Sequence, residues 1–488
     1  MINTEAFGKN DIRGIYGETV TEELFYETGK AYVLYMREKT GKENVILSVI
    51  RDVRLHSESL SKALIKGIIE AGGTVLDLGM GPTPFGYFSG FANTDFGTPD
   101  GALIITASHN PSEYNGLKMT CMNHSLGADD IKELKALTEK VARGEIKIGA
   151  TPGNEIEYDI LPDYVNKMKE IFSEKFDNLT VVTDCANATA GIIAPKLYKM
   201  LGCNVEELYT EPDGRFPNHH PNPSVESTLD ALKAKVKECK ADVGIAFDGD
   251  SDRIGVVDSD GNALTGDKLL LIYASEIIPE CLKKGEKPSI VSEVKCSQVL
   301  YDSLENAGAN AIMCKTGHGY IKSEMKKSSA VLAGEMSGHM FFNDRYFGFD
   351  DAIYAGCRII EIISHKKREN PNFKLSDLLK PFEAVTTGPE VRFPCANELK
   401  KPVLARLSKV IEENPMMFGD EIKDIITIDG LRIVFDGGFA LIRQSNTEPV
   451  FTLRFEAKTP ELCTQYTDSM LKELERICER EKALTTKA

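Results

Sequence analysis

The chain has no C-x-x-C pair and no cluster of cysteines at zinc-site spacing; its 11 cysteines are scattered and odd in number. That pattern excludes a disulfide framework and the common structural zinc sites, and predicts reduced, mostly buried thiols. No apolar stretch is long enough to cross a bilayer. The opening residues MINTEAFGKND have neither the basic nor the apolar segment of a secretory signal, so a cytoplasmic protein without a membrane partner is expected. A surplus of positive charge is also missing. The formal net charge of -16 argues against nucleic acid or an anionic membrane as partner, since both need a basic face. An anionic ligand would have to be drawn by a local cluster of cations.

What is present is a soluble globular composition, 42% hydrophobic and 27% charged, over 488 residues. At roughly one domain per 150 residues this length predicts about three or four domains. The chain also repeats itself. VILSVI, SLSKALIKGIIEAGG and TVLDLG read as strand, helix, glycine stop and strand. The same order recurs in LTVVTD, GIIAPKLYKMLG and CNVEELY, and again in PSIVSEV, SQVLYDSLENAG and ANAIMCKTG. Each helix closes at a glycine (Gly72, Gly202, Gly308), where a left-handed residue is wanted. These repeats predict an α/β protein: three similar domains with mixed, mainly parallel sheets, then a C-terminal α+β domain whose strands DIITIDGLRIVF, GFALIRQS and PVFTLRFEA precede one helix. The expected boundaries are 1–152, 153–258, 259–371 and 372–488, with the polar stretch ARGEIKIGATPGNE as the first connection.

Parallel α/β sheets present their sites at the carboxyl ends of strands, and four loops there draw attention. In GALIITASHNP, Ser108 follows a buried strand. It reads either as a turn or helix N-cap, with Pro111 early in a helix, or as a reactive hydroxyl; the G-x-S-x-G elbow of a serine hydrolase is absent. AFDGDSDRIGVVD carries Asp248, Asp250 and Asp252 at alternate positions. Three carboxylates in one short loop repel each other unless a hard cation takes them as ligands; otherwise the loop is a solvated acidic turn. An EF-hand is excluded, because Arg253 stands where it needs glycine and Ser259 where it needs glutamate. Arg253 adds a cation beside the acids. In LAGEMSGHMFF, Glu335, Ser337 and His339 alternate with small residues, as a capped turn or as a grip on vicinal sugar hydroxyls. In LIRQSNTEPVF, Arg443, Ser445, Asn446 and Thr447 form either a phosphate cradle on a tight turn or a plain polar hairpin.

Taken in order, TASHNP, DGDSDR, GEMSGH and RQSNTEP resemble the α-D-phosphohexomutases, within them the phosphomannomutase/phosphoglucomutase group. The resemblance runs from FGKNDIRGIYG to SNTEPVFTLRFEA, nearly the whole chain. It implies four domains around a central cleft and a reversible shift of phosphate between the 1- and 6-positions of a hexose phosphate, mannose or glucose. Ser108 would carry the phosphoryl group, hexose 1,6-bisphosphate would be intermediate and activator, and Mg²⁺ would sit on Ser108, Asp248, Asp250 and Asp252. Arg253 would assist, with the general acid/base among His109, Lys118 and Lys295. Arg13 and His318 would contact substrate, Glu335 and Ser337 would read the sugar's 3- and 4-hydroxyls, and Arg443, Ser445, Asn446 and Thr447 would hold the non-reacting phosphate. The methionine of GEMSGH resembles the mannose/glucose version. DGRFPNHHPNP fits the family and receives no catalytic role. The expected assembly is a monomer or homodimer.

Two positions depart from the family pattern. Asn10 stands in NDIRG where an aromatic is usual, which bears on contacts near Ser108 and on sugar preference; Ile50 replaces the glycine of G-R-D-x-R, a matter of packing, while Arg51, Asp52 and Arg54 remain. The competing functions are a mutase for an amino-sugar phosphate, a magnesium-dependent phosphatase and a non-catalytic sugar-phosphate-binding protein. The retained Ser108 and metal acids speak against the last.

Overall fold

The computed structural model describes residues 2–92, 94–148, 151–176, 178–445 and 449–485. It contains two compact units, Met1–Thr265 with Ser337–Leu375, and Gly266–Met336 with Ser376–Ala488. Among the described residues no helix is long and apolar enough to cross a membrane. No disulfide joins any of the cysteines, and most of them are buried.

The first unit holds two mixed sheets. In the first, Gly101–Ile105, Ile46–Arg51 and Thr74–Met80 run parallel, and Tyr114–Cys121 lies antiparallel between Gly101–Ile105 and Ile12–Ile15. At the end of the polar stretch expected to connect domains, the strand Glu155–Glu157 returns to this sheet alongside Thr74–Met80. The helix Glu22–Thr40 packs onto the sheet. Its start is capped by the Thr21 side chain, which accepts from the Leu24 N–H, and it stops at Gly41 in the left-handed conformation. Leu24, Phe25, Tyr32 and Met36 of this helix join Leu47, Leu103 and Leu117 of the strands in one core.

In the second sheet, Val243–Phe247 runs parallel to Thr180–Asp184, itself parallel to Asn204–Leu208, and antiparallel to Ile254–Asp258. Val243–Phe247 is buried throughout, as its unbroken apolar run requires. The helix Ala352–Glu369 starts at Asp351, whose carboxylate caps the Tyr354 N–H and also accepts from the hydroxyls of Tyr164 and Tyr346.

In the second unit, Asn310–Cys314, Ser289–Glu293 and Leu332–Gly334 run parallel. The C-terminal sheet is antiparallel, with Val450–Ala457, Gly438–Gln444, Leu431–Phe435 and Asp424–Ile426 as successive neighbours. The fold class is therefore as expected: mixed α/β sheets followed by an α+β segment.

Gly72, Gly202 and Gly308 do take left-handed φ values of 81°, 106° and 95°. Two expectations about elements fail. GIIAPKLYKMLG is not one helix: a 3-10 turn over Thr189–Ile192 precedes a helix of only Ala194–Met200. Among the described residues the C-terminal segment has two α-helices, because Asn397–Glu413 precedes Pro460–Thr485. Leu399, Val403, Leu407 and Ile411 recur at helical spacing and are buried, but Pro402 interrupts the pattern in the helix's early turns.

Candidate functional site

The segment after Gly101–Ile105 forms turns, and no helix follows Ser108 before the strand Tyr114–Cys121. The helix N-cap reading of Ser108 is therefore wrong. Ser108 instead takes a left-handed φ of 51°, a conformation costing a β-carbon-bearing residue about 1–2 kcal/mol. Its hydroxyl donates to Asp248 Oδ2 at 2.7 Å and lies 3.2 Å from His109 Nδ1. Gly249 makes that approach possible, since a β-carbon there would come within 2.4 Å of the Ser108 carbonyl oxygen.

Asp248, Asp250 and Asp252 are buried, which rules out a solvated acidic turn. Their ligand oxygens lie within 4.8 Å of one another. The loop folds back on its first acid: the backbone N–H groups of Asp252 and Arg253 both donate to Asp248 Oδ1 at 3.1 Å. Asp250 Oδ2 accepts from the Thr83 hydroxyl at 2.5 Å and from Lys118 Nζ at 2.6 Å, and Lys118 also pairs with Asp252. Asp250 Oδ1 and Asp252 Oδ1 are buried without a hydrogen-bond partner among the described residues. Orphaned oxygens on clustered carboxylates are what a hard divalent cation satisfies, so the donor set fits one.

The electrostatics follow from burial. Asp248 is pushed well above the ordinary carboxylate range by desolvation, then by repulsion from Asp250 and Asp252. Burial works against the charge of Lys118, but Asp250 and Asp252 outweigh it and hold the ammonium well above its usual range. His109 is driven down to about 2 by burial and by the charges of Arg253 and Arg13, and is therefore neutral near pH 7. Arg13 reaches the same loop, donating to Asp11 Oδ2 at 2.6 Å and to Asn110 Oδ1 at 3.3 Å. Arg253 Nε donates to His339 Nε2 at 3.0 Å, and His339 Nδ1 lies 3.0 Å from Asp350 Oδ2.

The second unit gathers a different set. Glu335 Oε1 accepts from the Gly317 N–H at 2.6 Å, at the start of the helix His318–Ser328, which brings His318 beside the GEMSGH loop. Glu293 accepts from the Met336 N–H at 2.9 Å and pairs with Lys295 at 3.4 Å. Arg443 lies within the strand Gly438–Gln444, opposite Thr452, and not on the turn where it was expected. Its guanidinium pairs with Asp429 at 2.8 Å, and Asp429 also accepts from the Thr316 N–H at 3.2 Å. Asp429 thus joins the RQS strand to the loop that carries His318. The Ser445 carbonyl accepts from Lys400 at 2.8 Å. Asn446 and Thr447 lie outside the described residues.

Of the expected residues, Arg13, Ser108, His109, Lys118, Asp248, Asp250, Asp252 and Arg253 come together in the first unit through the contacts above. Lys295, His318, Glu335, Arg443 and Ser445 belong to the second; Ser337 lies in the first unit. Thr83, Glu293 and Asp429 join them without having been singled out, and His339, read only as part of a capped turn or a grip on sugar hydroxyls, joins them beside Arg253 and Asp350. His339 had a signal, its place in GEMSGH; Asp429 had only an Asp-Gly turn. Ile50 is buried against Gly81 and Gly86, so that departure is one of packing.

A buried serine hydroxyl on one of three clustered carboxylates, ringed by Lys118, Arg13 and Arg253 on an α/β scaffold, defines the class: an enzyme built to move a phosphoryl group. The family is narrower. Domains described as phosphoglucomutase/phosphomannomutase alpha/beta/alpha domains I, II and III match residues 4–145, 162–261 and 265–383, and the C-terminal domain of the same description matches residues 390–473. A phosphomannomutase/phosphoglucomutase of Pseudomonas aeruginosa is 38% identical over 455 residues, covering 93% of this chain and 92% of that protein. A phosphoglucomutase of Neisseria gonorrhoeae is 39% identical over 459 residues, 94% of each. The crystal structure of a phosphoglucomutase/phosphomannomutase family protein from Burkholderia thailandensis superposes with a TM-score of 0.86 at 34% identity, covering 98% of both chains. The chain belongs to the phosphoglucomutase/phosphomannomutase family.

Proposed function

We propose that the protein interconverts the 1- and 6-phosphates of mannose and glucose through a phosphorylated Ser108. The observation that carries this reading is the Ser108 hydroxyl held 2.7 Å from Asp248 within the buried aspartate cluster. Phosphoryl transfer asks for positioning and charge neutralisation more than for covalent chemistry. Mg²⁺ held by Asp248, Asp250, Asp252 and a phosphate oxygen on Ser108 would neutralise charge on the moving phosphoryl group.

The rest is supplied by side chains. The bond from phosphorus to Ser108 Oγ breaks as one forms to a free sugar hydroxyl, whose proton passes to His109 or Lys295, since Lys118 is held charged and has no lone pair to accept it. The product is hexose 1,6-bisphosphate, which returns its other phosphate to Ser108; added in trace, the same bisphosphate primes unphosphorylated enzyme. His109, neutral near pH 7, orients the Ser108 hydroxyl, and Arg253 and Arg13 favour negative charge beside it. Lys118, charged and buried, is placed to return a proton. Glu335 and Ser337 read the 3- and 4-hydroxyls, His318 contacts the substrate, and Arg443, Ser445, Asn446 and Thr447 take the non-reacting phosphate. A loop that reads only those hydroxyls accepts both sugars, which differ at C2. The four-part division 1–152, 153–258, 259–371 and 372–488, a cytoplasmic site of action and a monomeric or homodimeric state belong to the same reading.

The test is a coupled assay with Mg²⁺ and trace glucose 1,6-bisphosphate, offering mannose 1-phosphate and glucose 1-phosphate separately, with Ser108→Ala in parallel. Both sugars should be converted, and the variant should be inactive. A phosphorylated, folded protein that turns over neither sugar but converts an amino-sugar phosphate would overturn the proposed specificity.

A further inference from the structure

Arg54 touches no expected substrate group, yet its side chain is fully buried. Each of its five N–H groups has an acceptor. Nε donates to Asp52 Oδ2 at 3.1 Å, Nη1 to the carbonyls of Pro111 and, at 2.9 Å, Tyr114, and Nη2 to the carbonyls of Ser108 at 3.0 Å and Asn110 at 2.6 Å. Three of the five acceptors therefore belong to the turns that carry Ser108, and a fourth, Tyr114, heads the strand that follows. Carbonyls turned inward from a segment without helix or strand must find donors elsewhere, and here one guanidinium supplies them, the Ser108 carbonyl among them.

The support for Arg54 is itself built in. Asp52 accepts from the Ser57 hydroxyl at 2.6 Å and from the Arg54 N–H at 3.0 Å, which fixes the carboxylate that aims the guanidinium. The guanidinium lies over the Phe216 ring at 5.3 Å. Gly214 lets that chain approach, since a β-carbon there would lie 2.4 Å from the Val53 carbonyl oxygen. The stretch DGRFPNHHPNP, which has no catalytic role, thus covers the guanidinium from the side of the second sheet.

We propose that Arg54 is the positioning residue of the phosphoryl carrier: by gripping the main chain of residues 108–114 it holds Ser108 in its left-handed conformation with the hydroxyl aimed at the aspartate cluster. Lysine cannot substitute, because three donors on a flexible stem do not reproduce a planar fork that reaches four carbonyls. The inference rests on the reading of Ser108 as phosphoryl carrier.

The experiment uses the full chain with Arg54→Lys, and counts turnover per mole of phosphorylated Ser108 measured by intact mass. The expected result is a kcat lower by about 10²-fold with KM within about twofold, the signature of a misplaced reacting atom. Guanidinium chloride at low concentration should partly restore kcat in Arg54→Ala. A purely structural role would lower the melting temperature and the yield of active protein while leaving turnover per phosphoserine unchanged, and that result overturns the proposal. Should Arg54→Lys fail to fold, Asp52→Asn decides. It should lower kcat by about tenfold by loosening the same guanidinium, and an unchanged kcat counts equally against the proposal. Ser108→Ala run in parallel separates the two readings: activity in that variant defeats the phosphoserine mechanism itself, whereas an inactive Ser108→Ala beside a fully active Arg54→Lys defeats the positioning role alone.

Discussion

The groups around Ser108 and the cations of the second unit, Lys295 and Arg443, are held in different ways. Ser108 is 2% exposed, Lys118 6%, and Asp248, Asp250 and Asp252 no more than 1%. Each is tied by contacts from distant parts of the chain, such as Thr83 to Asp250 and Arg54 to the Ser108 carbonyl. In the second unit Glu335 is buried too, at 3% exposed, but the side chains of Lys295 and Arg443 are 19% and 11% exposed, and among the described residues each pairs with an acidic partner, Glu293 or Asp429. A reacting group gains from being fixed before the reaction, because no reorganisation is then needed as charge develops. A recognition group gains from staying accessible, since a sugar hydroxyl or phosphate must reach it. The contrast predicts that damage around Ser108 appears in kcat and damage around Glu335 appears in KM.

The largest effect tests the first half. Ser108→Ala removes the phosphoryl carrier and should lower kcat by at least about 10³-fold for both sugars, measured in the coupled assay with bisphosphate present. Residual turnover near the parent's level would mean that phosphate moves directly between sugars, and the buried cluster would lose its assigned role.

A smaller effect tests the second half. Glu335→Gln keeps the shape and can still accept from the Gly317 N–H, but it loses the charge that strengthens hydrogen bonds from sugar hydroxyls. KM should rise about tenfold, the equivalent of about 1.4 kcal/mol, with kcat changed far less. A fall in kcat at constant KM would place Glu335 with the reacting groups and erase the distinction. Smaller again is Asp429→Asn, which frees Arg443 from its ion pair and weakens the link to Thr316. KM for the sugar phosphate should rise about threefold through the looser Arg443, the scale of a partly exposed ion pair. Isothermal titration with substrate against the Ser108→Ala background reads this free of turnover. Equal affinity in the two proteins would show that Asp429 does not orient Arg443.

What was legible in advance divides along the same line. TASHNP and DGDSDR each follow a continuous apolar strand, so the place of Ser108 and of the three aspartates at strand ends could be read from local pattern alone. Their supports could not. Thr83 meets Asp250 across 167 positions, and Arg54 meets Ser108 across 54; nothing local marks either pair. The left-handed φ of Ser108 was hidden because serine does not announce that conformation as glycine does. Arg443 was placed on a turn because polar residues follow it, although its alternation with apolar neighbours in GFALIRQ is a strand pattern. The helix Asn397–Glu413 went unread although Leu399, Val403, Leu407 and Ile411 stand in helical register, and it holds Pro402, a residue that ordinarily breaks a helix. In each case the deciding partner or packing surface lies far along the chain.

The prediction with the least effect on turnover asks whether the tightness of the first unit carries a cost. Asp351 is fully buried and caps the helix Ala352–Glu369. Burial raises its carboxyl from 3.8 to about 6, although the Tyr354 N–H and the hydroxyls of Tyr164 and Tyr346 pull the other way. With the folded value above the unfolded one, the folded protein binds more protons between about pH 4 and pH 6. This group's contribution to stability is therefore fully present below pH 4 and is lost as pH rises through 6, by up to about 3 kcal/mol. Asp351→Asn cannot ionise and lacks that loss. The melting temperature of the variant relative to the parent should thus be more favourable at pH 7.5 than at pH 4.5, with kcat little changed because Asp351 contacts no reacting group. A difference that is constant across pH would show that the three donors fully compensate the buried charge, and the first unit would then hold its site without a penalty from this residue.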